Sequence, residues 1–273
     1  MVIIFSGPSG VGKNTVIDAL VSDESGEFRL LPTFTTRKMR INEREGYPYH
    51  FVDTETFKKR IDAGVFLEYQ IVHENYYGTS KSVLEEKSKS GDILIKDIDV
   101  LGALKIYDSL NEKQRIITVF LYVDSFDILV SRLKNRGEKD IELRLKRFQL
   151  ETDKAPLYNY LINNISTEET VFLVKQILLH ESSGRYMHAS KKFEIDWEKL
   201  YKIKKGMEEG QIFSPIKVGV SDGSFCILDG HYRYLASVLA KKDIAKDLLI
   251  GLGDAQMCDE LWWDEVLRET AAG

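Results

Sequence analysis

The sequence predicts an α/β fold built on a parallel sheet, followed by a small α+β domain, and three observations carry that expectation. Short apolar runs alternate with stretches of helical spacing through the first two thirds of the chain. A glycine-rich turn stands between the first run and the first helix. A polar stretch without periodicity, ESSGRYMHASKK (181–192), separates this part from the remainder. Parallel strands need long crossovers, which helices supply, so strand–helix alternation implies a sheet covered on both faces.

The elements follow in order. VIIF (2–5) reads as a buried strand, the turn comes next, and TVIDAL (15–20) has helical spacing. DILIKDI around Ile95, IITVFLYV around Val119 and YLINN around Ile162 are further buried strands. STEETVFLVKQILLH (166–180) opens with Ser166, places Glu169 three residues on and then turns apolar, which is a capping-box helix start. Beyond the linker, IDWEKLYKIKKGMEEG reads as a helix ending at Gly210. FSPIKVGV and SFCILDG read as strands joined across Ser221-Asp222-Gly223, HYRYLASVLAKK as a helix, and DELWWDEVLRE as a final amphipathic helix with Trp262 and Trp263 packed inward.

With 273 residues, 43% hydrophobic and 30% charged, the chain has material for two cores. A net charge of -5 argues against a generic nucleic-acid coat, which needs surplus Lys and Arg. Cys226 and Cys258 are too few for a disulfide framework and lack metal-ligand spacing. No run approaches a membrane span, and MVIIF lacks the basic flank of a signal peptide, so the expected location is the cytoplasm.

The first chemical signal is FSGPSGVGKNT (5–15), which fits G-x-x-x-x-G-K with Gly7, Gly12 and Lys13. Glycines let the backbone curl so that successive N–H groups face one anion, and the following helix adds its N-terminal partial charge. Gly7, Ser9, Gly10, Gly12, Lys13, Asn14 and Thr15 are the expected ATP-binding residues, with Lys13 reaching the outer phosphates. Asn14 stands where Ser or Thr usually follows the lysine, so Thr15 is the better candidate beside Mg2+. Asp97 and Asp99, at a strand end, are the other metal candidates.

The next motifs decide the family. PTFTTRKMRINEREGYPYHFV and FLEYQIVHENYYGTS, with DID and RL-x-x-RG further on, resemble the guanylate kinases from Val2 to about His180. The resemblance implies a P-loop NTPase fold over residues 1–180, with an acceptor-binding part at 32–80 and a lid at 131–157. It implies that Arg37, Arg40, Tyr49 and Tyr77 hold an acceptor monophosphate and that Glu68, Thr33 and Thr79 face the base, with Asp99 beside them. Guanidinium forks and phenols suit a dianion, and one carboxylate accepts from both donors of guanine's Watson–Crick edge. Lys13, Arg132, Arg136 and Arg147 are the implied catalytic cations, the arginines closing over the transferring phosphoryl group. Arg144 carries a weaker signal, since a charged helix face is usually only solvated.

Three residues depart from the family pattern: Phe34 where a small polar residue is common, Met39 for Pro, and Leu101 for Gln. Phe34 and Leu101 are expected to enlarge, dry or reshape the acceptor pocket. In residues 193–273, LDGHYR after a hairpin places Asp229, Gly230, His231 and Arg233 around a helix start. About residues 193–242 resemble the ParB/sulfiredoxin-like fold, which implies a second phosphate-binding site there. Cys226, inside a strand, reads as a core residue, and His50, His73, His180 and His188 as structural.

The expected function is an ATP- and Mg2+-dependent nucleoside monophosphate kinase acting on GMP or dGMP, with an appended phosphate-binding module. One alternative is a kinase for a modified nucleotide or a modified base in viral DNA, the C-terminal part then contacting nucleic acid. The other is a non-catalytic scaffold, against which the intact loop and Lys13 speak. A small nucleotide is the expected substrate and no membrane partner is expected; the oligomeric state stays open. A chain ending near His180 is expected to remain active if the second module is accessory.

Overall fold

The structure, a computed structural model, describes residues 1–40, 43–72, 74–88, 91–110, 114–135, 148–183, 187–189, 195–221 and 224–250. It divides into two compact units, Met1–Ser6 with Lys13–Thr118, and Gly7–Gly12 with Val119–Gly273.

In the first unit, β1 (Val2–Ser6) pairs parallel with β8 (Ile93–Asp97), which pairs parallel with β2 (Phe28–Leu30). β1 is buried along its whole length, as a strand covered on both faces must be, and its run of Val, Ile and Phe follows from that. Helices α1 (Lys13–Val21) and α4 (Val100–Leu110) follow β1 and β8 in the chain. A second sheet has the order β4 (Arg44–Glu45), β5 (Pro48–Phe51), β3 (Thr33–Thr35), β7 (Asn75–Ser80), β6 (Phe66–Val72). Its strands are short and mixed in direction, β6 and β7 forming an antiparallel hairpin. Helix α2 (Thr54–Asp62) is capped by Asp53, whose carboxylate accepts from the Thr56 N–H at 2.7 Å. It contributes Phe57 to a core with Phe34 and Phe66. Helix α3 (Lys81–Ser88) follows β7.

The second unit carries the sheet order β11 (His188–Ala189), β13 (Ser224–Asp229), β12 (Ile216–Ser221), β14 (Lys246–Ile250), β10 (Tyr160–Asn163), β9 (Ile116–Tyr122), the last belonging to this unit from Val119 on. β14 runs parallel to both β10 and β12, so the C-terminal strands extend the ladder that β9 and β10 begin. Helix α5 (Phe126–Asn135) follows β9, and α6 (Thr167–Ser183) follows β10. Ser166 Oγ accepts from the Glu169 N–H at 3.1 Å, the N-terminal bond that the capping box predicts, and α6 runs three residues beyond the expected end at 180. Helices α7 (Trp197–Glu208) and α8 (His231–Ala240) lie where the sequence places them. β14 and the second sheet of the first unit have no counterpart in the sequence reading.

Cys226 is fully buried in β13, as a core residue. His180 stacks on Phe225 with ring centroids 4.3 Å apart, and His50 on Phe34 at 4.7 Å, so both are structural. His73, Asp222, Gly223, Cys258, Trp262 and Trp263 lie outside the described residues. No helix among the described residues is long and apolar enough to cross a membrane.

Candidate functional site

The loop of Gly7–Gly12 belongs to the second unit, and there its shape has identifiable supports. Gly7, Gly10 and Gly12 all have positive φ, 138°, 94° and 101°. At Gly12 a side chain would also collide with Asn164, whose amide nitrogen would lie 2.5 Å from a Cβ. Asn164 is buried and donates to the Val11 carbonyl at 2.5 Å, while its own oxygen accepts from Thr170 at 2.7 Å. Arg132, on α5, donates to the same Val11 carbonyl at 3.0 Å and to the Asn164 carbonyl at 3.3 Å. The loop carbonyl is thus held by two donors of its own unit. Arg132, expected over the transferring phosphoryl group, here braces the loop backbone. Arg136, Arg144 and Arg147 lie outside the described residues.

In the first unit a cavity of ≈ 680 Å³ gathers Thr33, Arg37, Arg40, Tyr49, Tyr77 and Asp97, together with Asn14, Ile17 and Asp18 of α1. The α1 residues fall at i, i+3 and i+4, one helical face. Thr15 is one residue on from Asn14, about 100° round the helix, is exposed, and does not line this cavity. Asn14, and not Thr15, is the residue that lines this cavity.

Arg37 is held by Glu43, with 2.6 Å between guanidinium and carboxylate, and lies over the rings of Tyr49 and Phe51 at 5.1 and 5.7 Å. Burial opposes the guanidinium's charge, but the Glu43 hydrogen bond and charge outweigh it and its pKa rises. The bond from Arg37 in turn lowers the pKa of Glu43. Glu43 also accepts from the Arg40 backbone N–H at 2.8 Å, so one carboxylate fixes both phosphate-binding candidates. Tyr49 and Tyr77 meet edge-on at 6.0 Å. Burial, with the Asp97 charge behind it, pushes the Tyr49 phenol up to about 12, and it stays a donor at working pH. Tyr47, which also lines the cavity, donates to Asp18 at 2.8 Å.

Beside this cavity lies a buried polar group. Glu68 on β6 is 6% exposed and accepts from the Thr79 hydroxyl at 2.6 Å. Burial raises its pKa above the usual carboxylate range; the Thr79 bond and the Lys96 charge oppose that, and Asp99 adds to it. One Asp99 oxygen accepts from the Leu101 and Gly102 N–H groups at 2.9 and 3.1 Å and so caps α4, while the other is buried without a partner. Asp99 thus both caps a helix and offers an unsatisfied acceptor near Glu68. Asp97 differs: burial raises its pKa, and the charges of Lys13 and Lys96 pull it back. Lys96 itself is fully buried, donates to the Thr33 hydroxyl at 2.5 Å, and is lowered by burial to about 8 against the pull of Glu68 and Asp97.

Asp97 and Asn14 supply the hard oxygen donors that a magnesium ion takes, and a carboxylate strained by burial gains from a cation. No cluster of three or more His, Cys, Asp or Glu suited to a metal occurs among the described residues. Magnesium needs none, because it binds through one or two carboxylates plus phosphates and water.

Of the two residues expected to reshape the pocket, Phe34 does not face it. β3 alternates: Thr33 lines the cavity, whereas Phe34 points the other way into the core, stacked on His50 and under Arg60 at 4.4 Å. Leu101, on α4, is 47% exposed.

In the second unit, Gly230 caps α8 at φ 95°, and a Cβ there would lie 2.6 Å from Ile216 and 2.7 Å from Arg233. Arg233 donates to Asp229 at 3.1 Å, to Ser214 at 3.1 Å and to the Pro215 carbonyl at 3.4 Å, and its Nε is buried without a partner. His231 is buried.

The sequence reading passed over Lys96, Glu43, Asn164 and Tyr47. A lysine inside the apolar run DILIKDI is the one signal that could have pointed to Lys96; Asn164 and Tyr47 acquire roles only through distant partners, and Glu43 through Arg37, six positions away.

Comparison with known proteins points to one family. The family model for guanylate kinase matches residues 1–181. The guanylate kinase of Clostridium acetobutylicum is 36% identical over 184 residues, covering 66% of this chain and 86% of that protein. That of Mycoplasma genitalium is 33% identical over 183 residues, covering 66% and 75%. A crystal structure of guanylate kinase from Anaplasma phagocytophilum superposes with a TM-score of 0.52 at 28% identity, covering 66% of this chain and 85% of that one.

Proposed function

Because the chain belongs to the guanylate kinase family, we propose the following division of labour for the reaction it catalyses, transfer of the γ-phosphoryl group of ATP to GMP with Mg2+. The observation that carries it is the convergence of Arg37, Arg40, Tyr49 and Tyr77 on one cavity beside the buried Glu68–Thr79 pair. The four cavity residues hold the GMP phosphate; Glu68 and the free oxygen of Asp99 accept from the guanine N–H groups; Thr33 and Thr79 complete the base pocket. The loop N–H groups at Gly7, Ser9, Gly10 and Gly12 hold the ATP phosphates. Lys13 stabilises the charge that builds on the transferring group, and Asn14 and Asp97 are the magnesium ligands, with Thr15 moved to a supporting place on α1.

A phosphate oxygen of GMP forms the new P–O bond as the bond to the ADP oxygen breaks. The protein's contribution is alignment and charge neutralisation, not covalent chemistry. Bound Mg2+ supplies further neutralisation of the phosphate oxygens. Arg132 acts by bracing the loop.

For residues 193–242 we carry the resemblance to ParB/sulfiredoxin-like domains as a reading, with Asp229, Gly230, His231 and Arg233 as its anion-binding group. Arg233 is already paired with Asp229, so an anion there competes with that carboxylate. The acceptor is the free nucleotide rather than a base in DNA.

A coupled assay of ADP release with ATP, Mg2+ and GMP tests the assignment. Lys13→Ala is expected to lower kcat by about 10²-fold or more, with the melting temperature retained. Unchanged kcat in that variant refutes the role given to the loop.

A further inference from the structure

We propose that Lys96 sets base selectivity by fixing the direction of the Thr33 hydroxyl, so that Thr33 presents its hydrogen, and not a lone pair, to the base. The proposal rests on the reading of Thr33 as a base-facing residue and adds a positioning residue behind it.

The argument begins with the placement of a lysine. Lys96 lies in β8, 0% exposed, with Leu94 and Ile95 equally buried before it. Among the described residues it makes no ion pair within 4 Å. Its Nζ instead donates to Thr33 Oγ1 at 2.5 Å. An alkylammonium carries only donors, so the Thr33 oxygen must be the acceptor of this bond. A hydroxyl has one hydrogen, and the bond to Lys96 leaves that hydrogen unused. Thr33 lines the cavity, and its hydrogen has no acceptor among the described protein groups.

The second hydroxyl of the pocket is committed the other way. Thr79 gives its hydrogen to Glu68, so the carboxylate and Thr33 become complementary readers, one accepting and one donating. The Watson–Crick edge of guanine offers N2–H and N1–H as donors and O6 as an acceptor. Glu68 takes the donors, and a donating Thr33 backed by a positive charge takes an acceptor such as O6. A 6-amino group would meet a hydrogen with an ammonium directly behind it. Two polar side chains alone would leave the Thr33 rotor free to serve either an amino or a keto group; the buried lysine takes one of the oxygen's two lone pairs and its charge turns the hydrogen away from itself, which favours donation to the base.

The experiment compares GMP with 2,6-diaminopurine ribonucleoside 5′-monophosphate, which keeps the 2-amino group, replaces O6 by an amino group and leaves N1 without its hydrogen, a loss at Glu68 that is common to every variant compared. The quantity read is the ratio of the two kcat/KM values, in the full chain, for wild type, Lys96→Met, Thr33→Val and the double variant, with melting temperatures alongside. Lys96→Met is expected to lower the ratio by about tenfold, and the double variant to show no further fall beyond Thr33→Val. A ratio within twofold of wild type in Lys96→Met, while Thr33→Val lowers it, overturns the role of Lys96 and leaves the base pocket standing. An unchanged ratio in Thr33→Val overturns the placement of Thr33 itself. Additive effects show that Lys96 does not act through Thr33, which also overturns the proposal. Should Lys96→Met not fold, Lys96→Gln carries the same cycle, with the same non-additivity expected and additivity again refuting it.

Discussion

A carboxylate that reads guanine has to be buried, and until the base arrives its charge has too little to offset that burial. Glu68 shows the conflict: burial holds its pKa above the ordinary carboxylate value of 4.5. The folded state therefore binds the proton more tightly than the unfolded chain. The stabilisation from this group is complete below the ordinary value and is lost as pH rises through the raised one. At neutral pH the ligand-free protein carries that loss, and Glu68→Gln removes it. We expect Glu68→Gln to melt higher than wild type at pH 7 without ligand, to flatten the decline in stability across the mildly acidic range, and to lower kcat/KM for GMP by about 10- to 100-fold. Melting curves from pH 4 to 8 and steady-state kinetics check both parts; an unchanged or lower melting temperature at pH 7 contradicts the burial argument. The arginines and tyrosines that converge on the cavity were reached through the resemblance to the guanylate kinases, with the chemistry of guanidinium and phenol groups toward a dianion in support. Asn164 and Lys96 were not legible in the sequence, because each takes its meaning from a partner far away in the chain, 153 positions for Asn164 and Val11 and 63 for Lys96 and Thr33; Glu43 was missed although Arg37 stands only six positions from it.

At the scale of elements, the long buried strands were readable because short apolar runs rich in Val and Ile fit strands buried on both faces. The second sheet was not. β4 has two residues, β3 three, and their exposed and polar positions carry no period. The same shortness explains the error over Phe34. In a three-residue strand the pleat alone decides which side chain meets the cavity, and a slip of one position exchanges core for pocket. Phe34→Ala should therefore cost about 3 to 5 kcal/mol of stability, read by urea unfolding, while KM for GMP stays within twofold of wild type. A variant of native stability with a changed KM would return Phe34 to the pocket. Asp99 carries a related lesson. Its helix-capping role and its place beside Glu68 coexist, because a carboxylate has two oxygens and uses them separately.

At the scale of the whole molecule, the sequence suggested a kinase with a detachable second module, and the sheet of the second unit gives that boundary a cost. β14 pairs along Tyr160, Leu161 and Ile162 of β10, residues 0 to 8% exposed. The Lys246 N–H donates to the Asn159 carbonyl at 3.0 Å, and Tyr122 donates to Asp247 at 2.8 Å. Phe225 stacks on His180 of α6 and meets Tyr160 edge-on at 6.4 Å. A chain ending at residue 181 loses all of these at once. It leaves β10 with a row of unpaired N–H and C=O groups flanked by apolar side chains, the arrangement that templates edge-to-edge association. We expect that variant to melt several degrees lower than the full chain and to associate on size-exclusion chromatography, while the fraction that stays monomeric in the cold keeps turnover with GMP, since none of the acceptor residues is removed. If it melts with the full chain and runs as a monomer, the pairing of β14 contributes nothing to the kinase part. If the monomer is inactive, the C-terminal strands serve catalysis as well as stability, which their position beside β10 alone does not require.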